Sequence, residues 1–414
     1  MSTNSKKGSL IIAGSGIASI RHITLETLSY IENADKVYYI VTDPATEAFI
    51  QEKSKGNFAD LTIYYDKDKS RYESYVQMSE VNVDFLFWIV NEFCTQHCFW
   101  VMLHDVRAGI QVVGVFYGHP GVFVSPSHRA IAIALDEGFH AKMLPGISAE
   151  DYMFSDLGFD PAIPGCMTQE ATSIVIHNKV LDPTIHNIIW QVGSVGVDTM
   201  VFDNGLFHLL LDHLEKYFGP NDKVIHYIGA VVPQSVTVKD KFTIAELREE
   251  RIIKQITTVS TFYVPPREKA PVVQSLTEVL KSRFTTAIVS PIAYGEFERS
   301  AVSRIANHNT PVDHAELRAS AAVRKFMIDL ALKPDLQDRY KKDPVAVTNA
   351  IPELTAEERF ALGLGKPGPV SVIMRATKSD LAAGNFPTSE TIADSVGSDG
   401  LKAVISLTVV VLTL

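Results

Sequence analysis

Cysteine is nearly absent. The 414 residues hold three, Cys94, Cys98 and Cys166, too few for a disulfide framework. Also missing is any uninterrupted apolar run of the roughly eighteen residues that a membrane span needs. The segment Val83 to Phe93 is interrupted by Asp84, Asn91 and Glu92, and the tail Ala403 to Leu414 is too short. The opening MSTNSKKGSLIIAG is too brief in its apolar part for a signal peptide. These absences point to a reducing, cytoplasmic setting with no membrane. No basic cluster stands out against a formal net charge of −10, which argues against nucleic acid as a partner. No repeat of solenoid period is found. What is present, 46% hydrophobic and 21% charged residues, is ordinary globular composition with length for two or three domains.

From Ser9 to about Gly158, short β-branched runs alternate with helical patterns, which predicts an α/β domain with a mostly parallel sheet. SLIIAG reads as the first strand, HITLETLSYIENA as a helix, KVYYIVTD as a strand, and PATEAFIQEK as a helix opened by Pro44. QVVGVF, PSHRAIAIALDEG and FHAKM continue the alternation. A second alternating set begins near Cys166, with NIIWQVG, VIHYIGAV and STFYVPP strand-like and LFHLLLDHLEKY helical. Residues 1–265 are thus one catalytic-sized region, 266–310 a connecting segment, and 311–365 a small domain of three or four short helices punctuated by prolines. The stretch 366–399 is rich in Gly, Pro, Ser and Thr and reads as a flexible linker, before an apolar tail over 400–414.

Three tight loops follow three strands: GSGI (Gly14 to Ile17), YGHPGVF (Tyr117 to Phe123) and LPGISAED (Leu144 to Asp151). Loops at the C-terminal ends of parallel strands converge on one crevice, and glycine lets backbone amides approach a ligand. GSGI alone is a weak signal, because Ser19 stands where a dinucleotide fingerprint has its third glycine; an ordinary strand-to-helix turn explains it as well. A nicotinamide oxidoreductase has only GSGI and Asp43 in its favour.

The ordered set of loops resembles the tetrapyrrole-methylase superfamily. DPATEAFI, YYDKDKSRYESYVQMSE, GVFYGHPGVFVSPSHRA, MLPGISAEDYMFSDLGFDP, WQVGSVG and STFYVPP are similar, more closely, to the methylating domain of the borosin precursors. The resemblance implies a two-subdomain α/β methyltransferase of tetrapyrrole-methylase type, a small all-helical clasp domain and a flexible C-terminal tail. It also implies S-adenosylmethionine as cofactor, lined by Tyr117, His119, Val122, Ala149, Gln191, Gly229, Ser260 and Thr261. The implied reaction is α-N-methylation of backbone amides in the chain's own core peptide, at Leu401, Ala403, Val404, Ile405, Ser406, Leu407, Thr408, Val409, Val410, Val411, Leu412 and Thr413. The implied partners are a second copy, interlocked so that each tail enters the other's active site, and a downstream peptidase or macrocyclase.

An amide nitrogen is a poor nucleophile because its lone pair is delocalised into the carbonyl. Methylation therefore needs proton removal, charge stabilisation on oxygen and alignment. The resemblance implies Arg71, Tyr75 and Tyr117 as the catalytic set, assisted by Tyr65. Arg71 and Tyr75 are four apart, on one face of a helix, and a guanidinium beside a phenol favours phenolate. Without the resemblance, Arg71 reads as a solvated charge and Tyr75 as a core aromatic. CTQHC (Cys94 to Cys98) offers soft ligands around His97, but no second cluster completes a site, so no metal is expected.

The chain departs from the family pattern between Glu80 and Met102. Deleting Asn82 to Val101 joins SEV to MLHDVRAG and leaves a family-like helix, which suggests a retained intron of about sixty nucleotides read in frame, three per residue; a genuine loop is the other reading. The tail, VISLTVVVLTL, runs to the last residue and could instead be a terminal strand added to a sheet edge. The competing functional readings are a small-molecule methylase of tetrapyrrole or diphthamide type and a precursor disabled by its inserted segment.

Overall fold

A computed structural model describes residues 8–64, 101–199, 201–271, 273–281 and 314–397, with positions 295, 296, 300, 303 and 309 besides. The chain divides into two units, Met1–Val279 and Leu280–Leu414.

The first unit begins with β1 (Ser9–Gly14), α1 (Leu25–Asn33), β2 (Lys36–Ile40), α2 (Pro44–Lys53), β3 (Phe58–Asp60), α3 (Met102–Arg107), β4 (Gln111–Phe116), α4 (Ser125–Asp136), β5 (His140–Met143) and α5 (Ala149–Leu157). The five strands form a sheet in the order β3-β2-β4-β1-β5, parallel at every pairing. Such sheets are covered on both faces, so their strands read as nearly continuous apolar runs. β1 and β4 are each buried at all but their first residue.

Helix starts follow capping chemistry. Asp43 accepts the Thr46 N–H ahead of α2, where Pro44 needs no N–H, and Ser148 and Asp151 close a reciprocal capping box on α5. The helix expected from His22 begins only at Leu25, because the Thr24 side chain caps it by accepting from Thr27 N. His22 is left in the turn.

The second half of the unit holds β6 (Cys166–Glu170), α6 (Ala171–Ile176), β7 (His186–Trp190), α7 (Phe207–Tyr217), β8 (Lys223–Ile228), β9 (Val238–Thr243), α8 (Glu250–Ile253), β10 (Thr261–Val264) and most of α9 (Gln274–Lys281), whose last two residues fall past Val279. The sheet order is β6-β7-β10-β8-β9, parallel at β6/β7 and antiparallel elsewhere. One face packs on α7 through Phe207, Leu210, Leu211 and Leu214. Tyr227 and Tyr263 on the other face pack with Met153 of α5, so the helix leaving the first sheet covers the second.

The second unit contains α10 (Ala321–Leu332), α11 (Pro334–Lys342), α12 (Pro344–Asn349) and α13 (Ala356–Gly363), as the proline punctuation predicts. Two expectations are corrected here. The stretch read as a flexible linker, 366–399, folds as α14 (Pro367–Met374), α15 (Lys378–Ala383) and α16 (Ser389–Asp394) over most of its length. Its threonines are capping chemistry: Thr377 with Asp380, and Thr388 with Thr391, cap helices that polar composition hides. Val370, Ile373 and Met374 pack onto the core of Val323, Phe326 and Leu362. The small domain therefore continues past residue 365. It is also not purely helical, since β11 (Glu316–Leu317) pairs antiparallel with β12 (Arg375–Ala376).

Candidate functional site

Strand ends of the first sheet bring the three glycine loops together. Gly16 and Gly118 exchange backbone hydrogen bonds of 3.2 and 3.1 Å. A side chain at Gly14 would place its Cβ 2.3 Å from the Gly118 carbonyl oxygen, so the close approach of these loops depends on glycine there. At Gly16 the φ of +71° and a Cβ overlapping that of His22 at 2.0 Å impose the same restriction. Gly146 of the third loop stands against Gly118 and Gly14. From the second sheet come Gln191 after β7, Gly229 after β8 and the turn leading into β10.

Between these loops lies a cavity of about 400 Å³. Tyr117, His119, Val122, Ala149, Gln191, Gly229, Ser260 and Thr261 all line it. Sequence reasoning missed Thr42, Trp190, Tyr227 and Val259, which line it too. The strand-end rule that singled out the other loops would also have found Thr42, just beyond β2. Trp190 and Tyr227 carry no such signal, because strand alternation and sheet curvature decide which aromatics reach the cavity. Trp190 meets Phe123 edge to face at 6.0 Å, spanning the two halves. Arg71, Tyr75 and Tyr65 lie outside the described residues, as do Cys94 to Cys98, Leu401 to Thr413 and all of the inserted segment but Val101.

No formally charged side chain lines the cavity among the described residues. Burial, with Asp43 and Tyr152 adding repulsion, pushes the Tyr117 phenol up to about 12. Burial also raises Tyr227, whose hydroxyl donates to Asp156 at 2.8 Å. Both phenols are neutral donors at physiological pH. His119 Nδ1 accepts from Gly121 N at 2.9 Å, which leaves the ring proton of the neutral form on Nε2. Among the described residues no group of three or more His, Cys, Asp or Glu could hold a metal ion.

The cavity suits a small molecule that is apolar over much of its surface and carries a diffuse positive charge. Its size falls in the range of small-molecule sites. The hydroxyls of Thr42, Thr258 and Thr261, together with loop backbone, offer polar anchors. The aromatic rings of Phe116, Tyr117, Trp190 and Tyr227 can face a cation without a carboxylate. The polar anchors fit the adenosine and amino-acid parts of S-adenosylmethionine, and the aromatic faces its sulfonium.

The family model for Tetrapyrrole (Corrin/Porphyrin) Methylases matches residues 9–231, and that for the Borosin biosynthesis clasp domain matches residues 293–414. A methyltransferase/ribosomally synthesized type I borosin cyclic peptide precursor of Cerrena unicolor is 56% identical over 98% of this chain and 98% of its own length. A precursor of the same description from Mycena rosella is 58% identical over 94% of this chain and 95% of its own length. Among solved structures, uroporphyrin-III-C-methyltransferase from Thermus thermophilus matches 65% of this chain and 99% of its own with a TM-score of 0.41 and 14% identity.

Proposed function

Because the chain belongs to the borosin precursor methyltransferases, we propose that it methylates backbone amide nitrogens of its own C-terminal core peptide, Leu401 to Thr413, with S-adenosylmethionine bound in the cavity. The observation that carries the cofactor assignment is the convergence of eight residues, from loops of both sheets, on one uncharged, aromatic-walled cavity. The chemistry supplied by the bound cofactor is an electrophilic methyl group on sulfur.

The chain's own residues must make the amide reactive. Tyr75, held towards phenolate by the Arg71 guanidinium, takes the N–H proton. As that proton leaves, negative charge gathers on the amide oxygen, where a neutral donor lowers the barrier. Tyr117 has the matching property, since a phenol pushed up to about 12 keeps its proton and donates it in a hydrogen bond. Tyr65 assists in holding the peptide. Trp190, itself buried, supplies apolar wall to the site.

The clasp domain supports an interlocked homodimer in which each tail is delivered to the partner's cavity. A peptidase or macrocyclase would then release the methylated segment. No helix among the described residues is long and apolar enough to cross a membrane, and the near absence of cysteine supports a cytoplasmic protein. Intact mass of the purified chain, followed by fragmentation of its C-terminal peptide, tests the reaction. Methyl groups on side chains alone, or none after prolonged incubation with cofactor, would overturn it.

A further inference from the structure

The first-strand turn is held by a side chain outside the cavity. His22 Nδ1 accepts hydrogen bonds from the backbone N–H groups of Ile17 and Ala18, at 3.3 and 3.2 Å. A ring nitrogen that accepts carries no proton, so the neutral ring holds its hydrogen on Nε2. The ring also meets Tyr152 of α5 edge to face at 5.1 Å, and the Tyr152 hydroxyl donates to the Ala230 carbonyl at 3.3 Å. Ser19 N donates to the Val231 carbonyl at 2.7 Å. A side chain placed on Gly229 would have its Cβ 3.4 Å from Ile17 Cγ2. The turn after β1 is thus joined to the loop after β8, and Ile17, Gly229 and Val231 are cavity wall.

We infer that His22 is a positioning residue for the cofactor cavity, a neutral imidazole that engages the Ile17 and Ala18 amides and so holds Ile17 against Gly229 where the two halves meet. The inference rests on the reading of the cavity as the S-adenosylmethionine site. It also explains what the glycine turn does here. In dinucleotide-binding folds the amides of such a turn are left for a phosphate. Here two of them are committed to a side chain, so the wall meets the ligand as apolar surface.

The groups facing His22 are Arg21 in its own turn and Asp151 and Tyr152 on α5; the Gly229 to Val231 loop presents none that titrates. Burial first, and then Arg21, draw the imidazole below its ordinary value against the opposing pull of Asp151. The ring is therefore neutral above the ordinary value of 6.5 and protonates only further down. A proton on Nδ1 would turn the acceptor into a donor facing two N–H groups.

The test measures binding of S-adenosylhomocysteine, which cannot turn over, to the full chain by calorimetry across pH, with thermal unfolding followed in parallel. The wild-type affinity should be level above about pH 6.5 and weaken in more acid solution. His22→Phe keeps the ring packing and loses the acceptor, and should bind roughly tenfold more weakly at every pH. His22→Asn retains an acceptor oxygen, and should recover most of the affinity with no acid break. Wild-type affinity in His22→Phe, or an acid break that survives in His22→Asn, overturns the inference. Ala149→Trp, a bulky side chain at a cavity-lining position, separates the two readings. Unchanged affinity in Ala149→Trp removes the cofactor site and this inference with it, whereas its loss alongside a normal His22→Phe removes the inference alone.

Discussion

At single residues, the proposed roles divide between groups that react and groups that shape. Tyr117→Phe should slow methylation on the order of a hundredfold, the loss of one charge-stabilising donor, with a smaller loss of cofactor affinity because the ring remains. Its rate profile should keep the wild-type shape over the neutral range, since a phenol raised to about 12 titrates beyond it; single-turnover methylation against pH reads this. Arg71→Ala and Tyr75→Phe should each remove most methylation and leave cofactor binding nearly intact. Ordinary turnover in Tyr75→Phe would eliminate it as the base. Gly16→Ala would force a side chain into a positive-φ position and onto the His22 Cβ, and should cost about 1–3 kcal/mol in thermal unfolding. The eight cavity residues were legible only through the resemblance, whose motifs run contiguously in the sequence; spacing alone pointed to the three glycine loops. Trp190 and His22 were not, since one is a strand residue and the other a presumed helix residue until the turn folds back on it.

Among elements, the N-terminus of α2 ties the glycine turn to the sheet. Asp43 is buried; it accepts from Ser19 Oγ at 2.6 Å and Thr46 N at 2.9 Å, and Ile20 N donates to Thr46 Oγ1 at 3.0 Å. Desolvation alone would raise the Asp43 carboxyl, but the hydrogen bonds from Ser19, Thr46 and Ala45 together outweigh it and hold the group below its ordinary value of 3.8. A lowered carboxyl contributes stability above that value and loses it as acid protonates the folded form. Asp43→Ala should therefore destabilise by about 1–2 kcal/mol at neutral pH, the loss of a helix cap, and the gap to wild type should shrink in urea unfolding carried out below about pH 4. Ser19, which stands where the dinucleotide fingerprint has glycine, has a structural role: its hydroxyl donates to the Asp43 helix cap. At this scale alternation and capping signals located seven strands, β1, β2, β4, β5, β7, β8 and β10, and the longer helices, but gave no separate reading for β3, β6, β9, β11, β12, α6, α8 and α9. They failed too at α14 to α16, because a Thr-x-x-Asp box, a Thr-x-x-Thr box and a proline start share the composition of a linker.

For the whole molecule, the prediction is a ladder of single-methyl mass increments confined to Leu401 to Thr413, read by fragmentation of the C-terminal peptide. The segment Asn82 to Val101 bears on whether the chain works as written. Its last residue, Val101, is buried in the core with Met102 and Leu103, and deleting the segment would bring Val81 to that place, one valine for another. We expect the shortened chain to be more soluble and more active than the full one in a side-by-side methylation assay, and cDNA to lack the corresponding codons. Equal activity, with the segment present in message, would show it to be a tolerated loop. The sequence by itself determined the α/β alternation, the loops that face a ligand, the resemblance and hence the reaction, because these are written in local period and in contiguous motifs. Only the tertiary structure decided that both sheets share one cavity, that its wall among the described residues is aromatic and uncharged, that His22 caps a turn it was expected to leave, and that helices form between residues 367 and 394. Each of those depends on residues far apart in the chain meeting in space, and no local pattern encodes that meeting.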